Sequence, residues 1–115
     1  MLTGKYHHGV APDKGRFSPE VGNFGVIYPQ RYWHDHEFQT IEKLRELAEQ
    51  AEVPLATLSI AWVLANPVIT SVILGASRPD QLKDTFAAVE LVLDANLKTQ
   101  LDDLTAEYRR GDAAR

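Results

Sequence analysis

The chain has no cysteine, which excludes disulfides and thiolate zinc sites and fits a reducing compartment. Long apolar runs are missing too. The longest stretch without a charge, Val53 to Ser77, is broken by Pro54, Asn66, Pro67 and Thr70, so it does not read as a membrane span. Met1 leads directly into LTGKYHHG, with no apolar run behind it, so no signal peptide is expected. Positive charge is scarce. Lys and Arg total 12 against 16 Asp and Glu, a net charge of −4, which gives no general attraction to nucleic acid or an anionic membrane surface. No helix offers the basic face of a DNA-binding module. A cytoplasmic protein is the expectation.

What is present suits one folded domain. At 115 residues, 44% hydrophobic and 24% charged, the chain can bury one core and is not composed like a disordered segment. Residues 1–36 hold most of the glycines and all four histidines, with Pro12, Pro19 and Pro29 spaced through them. No sustained helical or strand period appears there, so a long irregular segment is expected, of the kind that is often functional.

From Glu37 the pattern changes. Phe38, Ile41, Leu44, Ala48 and Ala51 recur at helical spacing among Glu42, Arg45, Glu46 and Glu49, predicting an amphipathic helix that ends at Val53, ahead of Pro54. Leu55 to Ala65 is apolar almost all round and should form a buried helix stopping at Asn66-Pro67. Val68 to Leu74 (VITSVIL) is short and β-branched, the pattern of a strand buried on both faces. Pro79 suits the first turn of a third helix, with Leu82, Phe86 and Val89 on its apolar face. Asp94 should cap a fourth, carrying Leu97, Leu101, Leu104 and Tyr108, and the polar tail YRRGDAAR should fray or dock elsewhere. The order is loop, helix, helix, strand, helix, helix: mostly helical, with one strand that needs neighbours on both edges. The fold class is α/β, and the chain reads as a slice of a larger sheet structure.

The junction VILGASRPDQLKDT carries the main chemical signal. A strand end followed by a helix start leaves backbone N–H groups free to meet an anion. Gly75 allows close backbone approach, Ser77 brings a hydroxyl, and Arg78 can fork onto a phosphate. Gln81, Asp84 and Thr85 follow within two turns, toward the same side. An ordinary capped turn with a solvated arginine is the competing reading. In LTGKY a Gly-Lys pair lies in a loop without the spacing of a P-loop, and Arg16 in KGRFS is another loop cation. His7, His8, His34 and His36 do not space as a metal site: adjacent histidines rarely share an ion, and HDH brings at most two ligands. No metal is expected. No Gly-x-Ser-x-Gly occurs, so no familiar serine or cysteine nucleophile is visible. The carboxylates of the first and fourth helices fit solvated faces with i,i+4 partners, and Trp62 fits a core position.

Taken together, LTGKY, SIAWVLANPVITSVILGASRPDQLKDTFAAVELVL and EYRRGDAAR resemble the C-terminal third of an aldo-keto reductase, nearest to the bacterial branch related to the potassium-channel beta subunits. The likeness runs from Leu2 to Arg115. It implies a C-terminal fragment of a (β/α)8 TIM barrel, with NADPH (NADP) as cofactor and a small-molecule carbonyl as substrate. LTGKY becomes the loop after strand seven, Val72 to Leu74 strand eight, residues 1–36 a cofactor and substrate loop region, and residues 37–115 the remaining elements. Phosphate sites in such barrels lie after strands seven and eight. By that likeness Gly75, Ser77 and Gln81 surround the adenosine 2′-phosphate and adenine, with the positive Arg78 beside them. Lys5 and Thr3 belong to the loop over the pyrophosphate, Arg16 lies near the same cofactor, and Asp84 contacts adenine. At Thr85 the family usually has asparagine, so that part of the adenine contact is altered. The family's catalytic aspartate, tyrosine, lysine and histidine have no counterpart here, so catalytic residues are assigned to none.

The expectation is an aldo-keto reductase chain that keeps part of the NADP cradle, binds the cofactor weakly alone and does not reduce carbonyls alone. The alternatives are a non-catalytic interaction module, self-associating through exposed strand edges, and a truncated gene product without activity.

Overall fold

A computed structural model describes residues 1–10 and 12–110, with backbone only at 23–25, 109 and 110. Among the described residues five α-helices follow one another: α1 (Asn23–Tyr32), α2 (Asp35–Gln50), α3 (Leu55–Leu64), α4 (Leu82–Ala87) and α5 (Ala95–Leu104). Single 3₁₀ turns at Pro19–Val21, Pro79–Gln81 and Ala106–Arg110 join or extend them. The end of the polar tail, residues 111–115, lies outside the described residues.

α2, α3 and α5 build the main core. The period of α2 turns Ile41, Leu44 and Ala48 inward, against Leu55 and Leu58 of α3 and Leu101 of α5. Burying a side chain such as Leu58 contributes about 2 kcal/mol. Polar ties fix the helices sideways: the Trp62 indole N–H donates to Asp102 Oδ1 at 2.8 Å, and Lys98 pairs with Asp102 Oδ2 at 2.7 Å. Asp94 caps α5 as its sequence predicts, accepting from the Leu97 amide at 2.9 Å.

Several expectations need correction. α2 ends at Gln50 rather than Val53. Ala51 closes it, Glu52 turns left-handed at φ 56°, the Val53 amide donates to Ala48 O and the Glu52 amide to Glu49 O. This paired closure is a Schellman motif, a backbone device that normally falls to glycine. α3 is not buried all round: Leu55, Thr57, Leu58 and Ala61 are buried, while Ile60, Trp62, Val63 and Leu64 are only half covered. The irregular N-terminal segment contains α1, whose period is hidden by Gly25 and by Pro29 within the helix. Finally, Val68 to Leu74 is not a strand; residues 69–76 are irregular chain, with Val68 and Ile73 exposed. A strand is a paired object, and no strand among the described residues stands beside this one to complete its hydrogen bonds. The third helix is also shorter than its pattern, one 3₁₀ turn followed by the six residues of α4.

A second, aromatic cluster mounts the N-terminal loops. Tyr6, Phe17 and Phe38 are buried together, with Tyr28 and Trp33 packed on them. Tyr6–Phe17 and Trp33–Phe38 meet edge-to-face with centroids 4.8 and 4.9 Å apart, a geometry worth roughly 0.5–1.5 kcal/mol beyond area burial.

Candidate functional site

The Arg16 loop is shaped by a buried serine. Ser18 donates its hydroxyl to Asp13 O at 3.1 Å and accepts from the Glu20 amide at 3.3 Å, while its own amide donates to Gly15 O at 2.9 Å. Gly15 has φ +99°, and a methyl group built there would stand 2.6 Å from Tyr6 Oη and 3.0 Å from Lys5 Nζ. Only glycine lets this loop close over those two side chains. The LTGKY turn is held from the other side. Arg45 of α2 donates Nη2 to Gly4 O at 3.1 Å, and a methyl on Gly4, at φ +70°, would meet its Nη1 at 3.1 Å.

These contacts draw Lys5 and Arg16 into one neighbourhood. Lys5 Nζ lies 4.8 Å from the Tyr6 ring centre, and the Arg16 guanidinium 5.8 Å from that of Tyr28. The amino group of Met1 titrates below its ordinary value, first through burial and then through the positive charges of Lys5 and Arg16. Arg16 also reaches the second loop: a methyl on Gly75 would stand 3.9 Å from Arg16 Nη2. Residues far apart in sequence therefore meet at Gly75.

Beyond Gly75, two side chains of one 3₁₀ turn take up the donors of the loop. Ser77 donates its amide (2.9 Å) and its hydroxyl (3.2 Å) to the same oxygen, Gln81 Oε1. Arg78 forks onto Asp80, Nε to Oδ1 at 3.1 Å and Nη2 to Oδ2 at 3.2 Å. Those hydrogen bonds hold the Arg78 guanidinium above its ordinary pKa and, taken from the other side, hold the Asp80 carboxyl below its own. Thr85 spends its proton on Gln81 O at 2.8 Å. Thr3 and Asp84 are exposed; the Asp84 carbonyl accepts from buried Thr57 at 2.7 Å, which ties α4 to α3. α4 is short, so positive charge at this junction comes from Arg78 and Arg16 rather than from a long helix dipole.

Donors that converge on one oxygen and fork onto another pair suit an oxyanion such as a phosphate ester. The glycine that keeps the backbone open toward Arg16 fits the same purpose. Sequence reasoning missed three supporting residues. Ser18 and Arg45 act through long-range contacts that leave no local signal. Tyr6 reads as an aromatic in a loop, yet it is buried and its hydroxyl has no hydrogen-bond partner among the described residues. Two of the histidines pair singly with a carboxylate: His8 with Asp35 at 2.7 Å and His36 with Glu107 at 2.6 Å. Among the described residues no three His, Asp or Glu side chains gather as a metal site, and no helix is long and apolar enough to cross a membrane.

Comparison with known proteins gives these loops a setting. The sequence pattern of the Aldo/keto reductase family matches residues 1–106. A probable voltage-gated potassium channel subunit beta of Arabidopsis thaliana is 36% identical over 92 residues, covering 80% of this chain and 27% of that protein. The uncharacterized oxidoreductase YrpG of Bacillus subtilis is 41% identical over 69 residues, 60% of this chain and 21% of its own. An L-glyceraldehyde 3-phosphate reductase of Escherichia coli K12 is 29% identical over 108 residues, 93% of this chain and 31% of its own. The chain thus spans only about a fifth to a third of the length of these curated relatives.

Proposed function

The chain belongs to the aldo/keto reductase family, and from that premise we propose that it supplies the adenosine end of the NADP(H) cradle in a carbonyl oxidoreductase. The family implies a TIM-barrel parent, in which phosphate groups are held by loops after the last strands. The observation that carries the proposal is the donor set at Gly75 to Arg78, with Arg16 brought beside Gly75 from the N-terminal loop. Ser77 and Arg78 would hold the 2′-phosphate, with Gly75 leaving room for it and Gln81 turning to the adenosine. Lys5 would neutralise the pyrophosphate, with Thr3 in the loop over it and Arg16 close to the same cofactor, while Asp84 and Thr85 would line the adenine side, Thr85 without the amide of an asparagine. The nucleotide held there would supply hydride chemistry to a small-molecule carbonyl in the parent enzyme.

The work of this chain's own residues is binding and orientation: cations and hydroxyls fix the nucleotide, and Tyr6, Phe17 and Ser18 keep the loops that carry them in place. None of the 115 residues is assigned the proton transfer, which needs a donor with a tuned pKa. The chain alone is therefore proposed to bind the cofactor weakly and to leave carbonyls unreduced. Titration of the chain with NADPH, followed by nucleotide fluorescence, tests the cradle. Saturable binding lost in Ser77→Ala plus Arg78→Glu is expected; binding unaltered by that pair would remove the 2′-phosphate assignment.

A second reading has its own observation. Val68, Ile73, Phe86, Val89 and Val92 are exposed large apolar side chains between residues 68 and 92, and exposed apolar surface of that kind marks a contact with another polypeptide. In this reading the chain is an interaction module that associates through residues 68–92. Sedimentation velocity separates the two, since a stable monomer across a wide concentration range counts against the module.

A further inference from the structure

The Arg78–Asp80 pair is local and open to water. Both side chains are about two-thirds exposed, so no burial forces them together. Their contact uses one full edge of the guanidinium, Nε and Nη2, against both carboxylate oxygens. Arginine has a second edge, Nη1 with Nη2, which this contact leaves open. Whichever edge receives a phosphate, the charge of Asp80 opposes it. On the edge now in use, the carboxylate must first be displaced. On the other edge, a dianion would sit across one guanidinium from a carboxylate. A 2′-hydroxyl carries no charge and meets neither cost.

We infer that Asp80 is a specificity-determining residue of the cradle: its carboxylate, forked by Arg78, lowers the preference for a 2′-phosphorylated over a 2′-hydroxyl dinucleotide. The inference rests on the proposal that Arg78 faces the 2′-phosphate. The rival role for Asp80 is to orient Arg78 for the phosphate, and it predicts the opposite sign. In keeping with competition, the Asp80 carboxyl is held below its ordinary pKa by these bonds, so it stays charged across the neutral range. An exposed pair of this kind is a modest competitor, and its removal is expected to strengthen phosphate binding about two- to fivefold.

The experiment compares NADPH and NADH affinities, by nucleotide fluorescence, for the 115-residue chain and for Asp80→Asn, Asp80→Glu and Arg78→Ala. Matching far-UV circular dichroism among the variants is the folding control, and Asp80→Glu keeps the charge should Asp80→Asn loosen the turn. The expected result is a lower Kd for NADPH in Asp80→Asn, an unchanged Kd for NADH, and near-parental values in Asp80→Glu. An equal or weaker NADPH affinity in Asp80→Asn, with binding still lost in Arg78→Ala, overturns the inference and leaves the cradle standing. NADPH binding that is indifferent to Arg78→Ala overturns both.

Discussion

Two parts of this chain with similar apolar content end in opposite conditions. In α2, α3 and α5 the apolar residues find one another, and Leu58 is left 1% exposed. In residues 66–94 only some do: Ala88 is buried and Leu91 and Leu93 pack on the core, but Val68 is 80% exposed, Ile73 98% and Val92 89%. The difference is not one of hydrophobicity. A helix satisfies its backbone internally and needs cover on one face only, so three helices can complete a small core between them. A strand pattern needs partners along both edges, and a chain with a single such segment cannot provide them. The helices α2, α3 and α5 therefore share the buried core, while much of the apolar surface of residues 66–94 stays open.

The largest expected effect sharpens this contrast. Leu58→Ala should destabilise the chain by about 2–5 kcal/mol in a urea melt, whereas Ile73→Ala should stay within about 0.5 kcal/mol of the parent. Equal losses would mean that residues 66–94 are packed as tightly as α2, α3 and α5. Next comes the tie between the two parts. Thr57→Val removes the hydrogen bond from the α3 hydroxyl to the Asp84 carbonyl and should cost roughly 1–2 kcal/mol. Amide exchange should show that loss as faster opening of α4 while α2 keeps its protection; uniform acceleration would contradict the division into two parts.

A gain of stability is expected at the end of α2. Glu52 holds a left-handed backbone, and Glu52→Gly should raise the stability by roughly 1 kcal/mol by relieving that conformation. A loss would show that the Glu52 side chain contributes more than its backbone costs. The smallest effect concerns pH. The folded Asp80 carboxyl titrates below its ordinary value, so the contribution of its pair with Arg78 is complete above the ordinary value and disappears as pH falls through the lowered one. Carboxyl-detected NMR should place its midpoint below those of unpaired aspartates; a midpoint among them would mean that the pair does not form in solution.

How far the sequence carried depends on whether a feature is local. The inward faces of α2 from Phe38 to Ala48 and of α5 from Leu97 to Leu104, and the Asp94 cap, are written in residues three or four apart and appear as read. Tyr108, read as part of the same last helix, instead lies in the 3₁₀ turn Ala106–Arg110 after α5 ends at Leu104. α1 escaped because Pro29 interrupts a helix that tertiary contacts still support, with Trp33 at its end packed on Tyr6, Phe17 and Phe38. The left-handed Glu52 escaped because its side chain does not announce the turn. VITSVIL has the pattern of a buried strand, but pairing is a property of two segments. Of the candidate site, the loop from Gly75 to Gln81 was legible from residue types. Its link to Arg16, the Arg45 anchor on Gly4 and the Asp80 fork depend on geometry that only the folded chain supplies.

The central claim is that the N-terminal loop and the Gly75–Arg78 loop form one anion cradle. It is tested most directly by following backbone and arginine side-chain NMR signals while NADP⁺, which carries both the 2′-phosphate and the pyrophosphate, is added. Saturable shifts at Arg16 together with Gly75, Ser77 and Arg78, and quiet signals in α5, are the predicted result. Shifts absent from both loops, or present in one without the other, would contradict it.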